Sequence, residues 1–203
     1  DIEKQGSGTV TFSGNNSYDG NTTVSQGTLV FTSSSLPDTA AEIASGATLR
    51  FDLGQNASFA GSFTGPEESN FEKSGSGSLT LSASSAAFAG TSNVTAGELS
   101  LASGISLGGT IEIASGARLA GSGTAAGKVT VLGTLAPGDT GTIGSLSLDE
   151  LELQSGGELE IELTDSASDS VDVTGDATLA ANSTLTLLPS AGDYTTPVSY
   201  DIL

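Results

Sequence analysis

The chain has 203 residues, of which 36 % are hydrophobic and 5 % aromatic, and a formal charge of −19 from 5 basic and 24 acidic side chains. That shortage of cations excludes nucleic-acid binding, which needs clustered Lys and Arg against phosphate, and disfavours docking on an anionic bilayer. Cys and His are both absent, which removes disulfides, thiolate nucleophiles and a Ser–His triad.

Read in chain order, the sequence is a succession of short β patterns with no helical periodicity. Residues 6–12, GSGTVTF, open the first, and Gly27 introduces a second at Leu29 and Phe31. Residues 41–49, AEIASGATL, follow. The same material then returns: GSGSLTL at 75–81 repeats GSGTVTF, and IEIASGARL at 111–119 repeats AEIASGATL. Tyr18 answers to Phe88, Gly27 to Gly97, and Leu29 and Phe31 to Leu99 and Leu101. Duplication at this scale marks a stacked architecture in which one supersecondary unit recurs.

Leucine spacing sets the size of the unit. Leu29 to Leu49, Leu79 to Leu99, Leu99 to Leu119 and Leu159 to Leu179 are each twenty residues apart. A coil of about twenty residues, cornered by Gly and lined by alternate apolar side chains, is the rung of a parallel β-solenoid, and the chain length predicts about ten rungs. A β-sandwich does not predict the duplication. Val10, Phe12, Leu29, Phe31, Ile43, Leu79, Leu81, Leu99, Leu101 and Ile113 are expected in the core, with Val30 pointing outward because it aligns with Ser100.

After PGDTG at 137–141 the duplication fades. ELEIEL at 158–163 places Leu159, Ile161 and Leu163 on one strand face and Glu158, Glu160 and Glu162 on the other. From Asp139 onward there are 13 carboxylates, and Lys128 is the last basic residue. We therefore divide the chain into a repeated body, 1–128, and a C-terminal capping module, 129–203. No run reaches the ~18 apolar residues of a spanning helix. The missing initiator Met and missing apolar leader suggest a piece of a longer protein.

Residues 6–31 and 75–101 resemble the passenger-associated transport repeat of bacterial autotransporters, of form G-S-G-T-L-T-L-S-G-x-N-T-Y-T-G-x-T-x-V-x-x-G-x-L. The lead-ins IEKQ at 2–5 and FEKS at 71–74 are similar to the x-x-K-x that precedes it. Residues 133–149, 168–179 and 200–203 resemble the end of such passengers. The resemblance implies an all-β, right-handed parallel β-helix, exported by the type V route and displayed on the bacterial cell surface or secreted. The resemblance does not fix activity; with no His or Cys to build a nucleophile–base pair, the leading expectation is a non-enzymatic stem that supports adhesion or cell association and passenger folding. Its own translocator barrel is the implied partner, with host or bacterial surface molecules, or further copies, beside it. Direct membrane insertion of this segment is not expected. A carbohydrate-active or carbohydrate-binding parallel β-helix is the alternative.

No catalytic, cofactor-binding or metal-binding residue is assigned. Arg50 and Arg118, the two guanidiniums, fall at non-equivalent repeat positions with no Asp trio beside either. The ladder Glu158, Glu160 and Glu162, with Glu150 and Glu152, reads as a solvated acidic face, since a flat strand converges its oxygens poorly on calcium. Asp165, Asp169, Asp172 and Asp176 flank a turn and are the better calcium candidates. Sequons at Asn15, Asn21, Asn56, Asn93 and Asn182 read as turn sequence, Thr9 and Thr11 as outward strand residues, and Tyr18 and Phe88 as core.

Overall fold

In the computed structural model, which describes residues 1–32, 36–190, 192 and 199–203, the chain winds into a parallel β-solenoid. No helix occurs among the described residues. Short runs of alternating apolar and β-branched residues form the strands, and polar Gly-containing corners end them before they can lengthen. Three stacks of strands form three faces.

The first face carries β1 (Ile2–Lys4), β3 (Thr22–Val24), β5 (Ala41–Ile43) and β8 (Phe63–Thr64) in that order. The bridges Gly65–Phe88 and Ser85–Leu107 lead on to β13 (Ser106–Leu107). The second face carries β2 (Thr9–Phe12), β4 (Thr28–Phe31), β6 (Thr48–Asp52), β9 (Asn70–Ser74), β11 (Thr91–Val94) and β14 (Thr110–Ile113). The third starts later, with β7 (Ala57–Phe59), β10 (Ser78–Leu81), β12 (Gly97–Leu101), β15 (Ala117–Gly121), β17 (Thr134–Pro137), β19 (Glu158–Leu163) and β22 (Thr184–Pro189). Two long strands, β16 (Thr124–Val131) and β18 (Ser145–Leu153), turn the corner between the first two faces without a break. β20 (Ser170–Val173) and β21 (Ala177–Leu179) then pair with successive halves of β18. Strand β16 thus runs through the point between residues 128 and 129.

Register is kept by apolar residues stacking on their counterparts. Leu29 pairs with Leu49, and Leu79 with Leu99 and then Leu119, as their spacing predicts. Leu159 and Leu179 do not pair: Leu159 stacks on Leu185 on the third face, and Leu179 on Leu153 on the second. The coils are uneven, short where Ile111 stacks on Val129 and long where Leu151 stacks on Ala177. Uneven coils explain why the solenoid has about eight turns where uniform coils of twenty predict ten. Eight steps at the ~4.8 Å inter-strand spacing make a rod about 38 Å long.

The duplication is out of phase with the coil. Thr9 stacks through Thr28 and Thr48 onto Asn70, three full turns later, whereas its repeat equivalent is Ser78, one strand further on. The spacing between copies is therefore three turns plus one face. The first copy lies on faces one and two, and the second on faces two and three.

All seven Phe residues touch in one chain of rings through the first coils, from Phe12–Phe31 at 5.5 Å to Phe63–Phe88 at 5.1 Å. Phe51 sits at its centre against Phe31, Phe59 and Phe71. Later coils replace Phe with Leu, Ile and Val. Eight of the ten expected core residues are buried. Val10 is 41 % exposed and Phe12 half-buried, because β2 belongs to the first coil and no strand among the described residues stacks over it. Val30 lies outside the inward alternation yet is 5 % exposed, since Thr11 and Arg50 flank it in the stack. At the other end residues 199–203 return to the first face, where Val171 N donates to Ile202 O at 3.0 Å. Faces two and three end open among the described residues, leaving Leu179, Leu185 and Leu187 about half exposed.

The two repeat copies differ in one polar detail. Tyr18 Oη and Thr22 Oγ1 share a hydrogen bond of 2.6 Å. Their equivalents are Phe88, which has no hydroxyl, and Ser92, whose fully buried Oγ has no partner. Ser92→Ala removes an unsatisfied hydroxyl and is expected to stabilise the chain by about 1 kcal/mol, read as a higher urea midpoint. A lower midpoint would show that the hydroxyl is satisfied.

Candidate functional site

All five basic side chains are engaged within the fold. Arg50 Nη2 pairs with Glu72 Oε2 at 2.8 Å across β6 and β9 on the second face. Arg118, on the third face, reaches Glu98 Oε2 at 3.2 Å and Glu160 Oε1 at 2.5 Å. The two guanidiniums thus sit on different faces, Arg50 matched to a carboxylate of the next coil and Arg118 to one of the preceding coil and one two coils on, and they do not converge. Lys128 Nζ contacts Glu152 Oε2 at 2.5 Å on the surface; the bond to Lys128 holds the Glu152 carboxyl below the usual range, and Glu152 holds Lys128 above its own. Such exposed pairs contribute little stability.

Lys4 and Lys73 are buried, 5 % and 0 % exposed. Their ammonium groups donate to backbone carbonyls at the corners that follow β1 and β9. Burial pushes the Lys73 ammonium below the ordinary lysine value, while Asp52 and Glu98 pull it back up. Three carbonyl oxygens around the nitrogen favour the charged form there.

The glutamate ladder is less free than its alternation suggests. Glu160 holds Arg118, Glu158 accepts from Thr186 Oγ1, and both oxygens of Glu162 accept from Gly141 N at 2.8 Å. Glu150 is exposed, and Glu152 accepts from Gln154 Nε2 at 3.1 Å. The 137–141 loop is thereby tied down onto β19.

The four aspartates are not brought together. Asp165, Asp172 and Asp176 are exposed, and Asp172 accepts from Ser145 Oγ at 3.2 Å. Asp169 is 1 % exposed, and its two oxygens accept from Gly144 N and Glu162 N, each at 2.8 Å. Burial raises its pKa, against those two hydrogen bonds and Arg118, while Glu162 raises it further. No group of three or more metal-ligating side chains forms among the described residues.

Two features escaped the sequence because coil lengths vary. Thr9, Thr28, Thr48, Asn70, Thr91 and Thr110 stack into one outward column on the second face. The adjacent column, Thr11, Val30, Arg50, Glu72, Asn93 and Glu112, is mixed, so the face is not a flat threonine array. At the corner beyond it, a shallow groove of about 280 Å³ is lined by Asn93, Thr95, Glu112, Ala114, Thr130, Leu132 and Gln154. It holds no nucleophile–base pair. Asn93 is half-buried within it, while the sequon residues Asn15, Asn21, Asn56 and Asn182 are exposed. No helix among the described residues is long and apolar enough to cross a membrane.

Passenger-associated-transport-repeat is the family that matches, over residues 2–31 and 71–101. Each matched segment covers the strand–corner–strand portion of two successive coils, β1–β4 in one copy and β9–β12 in the other. No curated protein matches the chain. Repeats of this kind on a parallel solenoid support an autotransporter passenger.

Asp169→Asn leaves an amide nitrogen facing a backbone N–H and is expected to cost about 1–3 kcal/mol at neutral pH. The raised folded pKa means that the native state binds the Asp169 proton more tightly than the unfolded chain does. Its contribution is full below the ordinary value of 3.8 and falls as pH rises through the raised one. Urea unfolding across that window should accordingly show a weaker pH dependence in the variant; an unchanged midpoint and profile would mean that the carboxylate is not holding the loop.

Proposed function

We propose that this chain is a non-enzymatic stem of an autotransporter passenger, secreted or held at the bacterial surface and continuous in its full-length protein with a translocator barrel. The observation that carries the reading is the pair of passenger-associated repeats embedded in a parallel solenoid. What such a rod supplies is reach and stiffness, together with a repetitive outer surface for adhesion or cell association. The −19 charge favours solubility and works against lateral aggregation of the rods. A carbohydrate-active enzyme is the weaker reading, because Arg50 and Arg118 lie on separate faces in ion pairs. The groove around Asn93 and Gln154 favours weak binding of a neutral glycan over cleavage of an acidic one.

Division into a body, 1–128, and a terminal module, 129–203, belongs to the same proposal. The terminal module folds first and offers an edge on which each earlier coil is laid. A solenoid suits such growth, since a new coil needs only one neighbour to gain hydrogen bonds and bury its apolar residues.

Two measurements test this. In a Gram-negative host, the full-length protein should present these residues to external protease, and deleting 71–101 should lower the amount displayed. Retention inside the cell, or turnover in a glycan-degradation screen abolished by changing Arg50 or Arg118, would sink the stem reading. For folding order, fragments 1–132 and 133–203, divided in the corner after β16, are unfolded separately in urea. The second is expected to fold alone; if only the first does, the templating order is wrong.

A further inference from the structure

Lys4 and Lys73 are repeat equivalents, and each builds the same structure at a different corner of the rod. Lys4 Nζ donates to Gln5 O at 3.0 Å, Gly6 O at 2.6 Å and Gln26 O at 2.9 Å. Lys73 Nζ donates to Ser74 O at 2.8 Å, Gly75 O at 2.9 Å and Ala96 O at 3.1 Å. An ammonium has three donors, so each is fully matched. Two acceptors in each set come from the lysine's own corner, and the third comes from the same corner of the next coil.

The glycine after that third carbonyl completes the enclosure. Gly27 and Gly97 both have φ of +67°, and the corner glycines Gly6 and Gly75 have +72° and +74°. A Cβ on Gly97 would run into Gly75 O and lie 2.9 Å from Lys73 Nζ; on Gly27 it would lie 2.6 Å from Gly6 O. Any side chain there would push the two corners apart. Because only carbonyl oxygens are used, Gln26 and Ala96 can differ without consequence. Because the cage needs two coils, the matched unit has to contain two.

We propose that this buried ammonium is the working part of the repeat: a cation built into the corner, held by backbone carbonyls as a free monovalent cation would be, that clamps two successive coils and keeps their register. The first clamp joins coils at the corner between faces one and two, the second at the corner between faces two and three. The device is thus portable around the coil and does not depend on which surface it underlies. It stands on the geometry of the two copies, and its test concerns folding of the chain, not export.

The test uses the full 203-residue chain. Lys73→Met is expected to lower the folded-to-unfolded ratio at least about tenfold, because three part-buried carbonyls lose their charged donor together. The surface control Lys128→Met should change it by less than about fivefold. Lys73→Ala should regain stability in ammonium chloride relative to sodium chloride at equal ionic strength, and not in tetramethylammonium chloride. Should the Lys73 variants not fold, Lys4→Met in the first coil gives the readout by hydrogen exchange. Protection should then fall at residues 25–28 of the second coil as well as at 5–8. A Lys73→Met effect no larger than the control, an Ala variant indifferent to the cation, or a Lys4→Met effect confined to 5–8 would each overturn the clamp.

Discussion

Everything in this molecule depends on the backbone of one coil finding its hydrogen-bond partners in the next. The strands are short and have no ladder of their own, and the chain meets its obligation to pair buried N–H and C=O groups only by superposing corner on corner. Superposition is demanding. A slip of one residue would turn Leu29, Leu49, Leu79 and Leu99 outward together and bring threonine and glutamate in. The corners are where that slip is prevented, and there the sequence is least free: positive-φ glycines, carbonyls closely opposed, and in two places a lysine nitrogen among them.

The same stacking changes how charge should be counted. Along the sequence, the carboxylates after Lys128 have no counter-ion nearby. In the rod, Arg118 reaches Glu160, far along the chain, and Lys128 reaches Glu152. Partners across coils are one or two whole turns apart in sequence, so local charge runs say little about local fields. The acidic excess remains, but several carboxylates do structural work: Asp169 and Glu162 fasten the loop from Gly138 to Gly144 to β19 by accepting from three backbone N–H groups, those of Gly141, Gly144 and Glu162. Of the four aspartates that flank the turn, Asp169 is a buried clamp and Asp165, Asp172 and Asp176 are exposed.

Fold class was legible from the repeat and the leucine spacing, since Leu29–Leu49 and Leu79–Leu99–Leu119 are direct stacking partners. The number of turns was not, because loops outside the strands stretch some coils, as the polar loop 164–169 does between Leu151 and Ala177, and no large apolar residue in that loop marks the stretch. The Leu159–Leu179 interval matched by coincidence for that reason. Burial at the ends was also beyond a periodic pattern: Val10 and Leu185 carry the inward signature, and only their position in the stack leaves them exposed. Of the residues with structural roles, the corner lysines were visible as a lead-in to each repeat. Their burial was not, because sequence reading places lysine at the surface unless a cage of acceptors is known.

The three-and-a-third-turn phase of the duplication bears on what such a rod can do. Had the copies been separated by a whole number of turns, equivalent side chains would have lined one face and made a repeating surface. With the extra strand, the residues outward on face two in the first copy are outward on face three in the second, so Thr9 and Thr11 correspond to Ser78 and Thr80 around the corner. Columns on a single face, such as the one from Thr9 to Thr110, are therefore assembled from non-equivalent positions and are free to diverge. Inside the rod the requirement is unchanged by rotation, because each corner presents the same carbonyls to the next. What the two copies share is correspondingly internal: inward apolar residues, corner glycines and the lysine. The duplication preserves the means of stacking and leaves the outer surface open to vary.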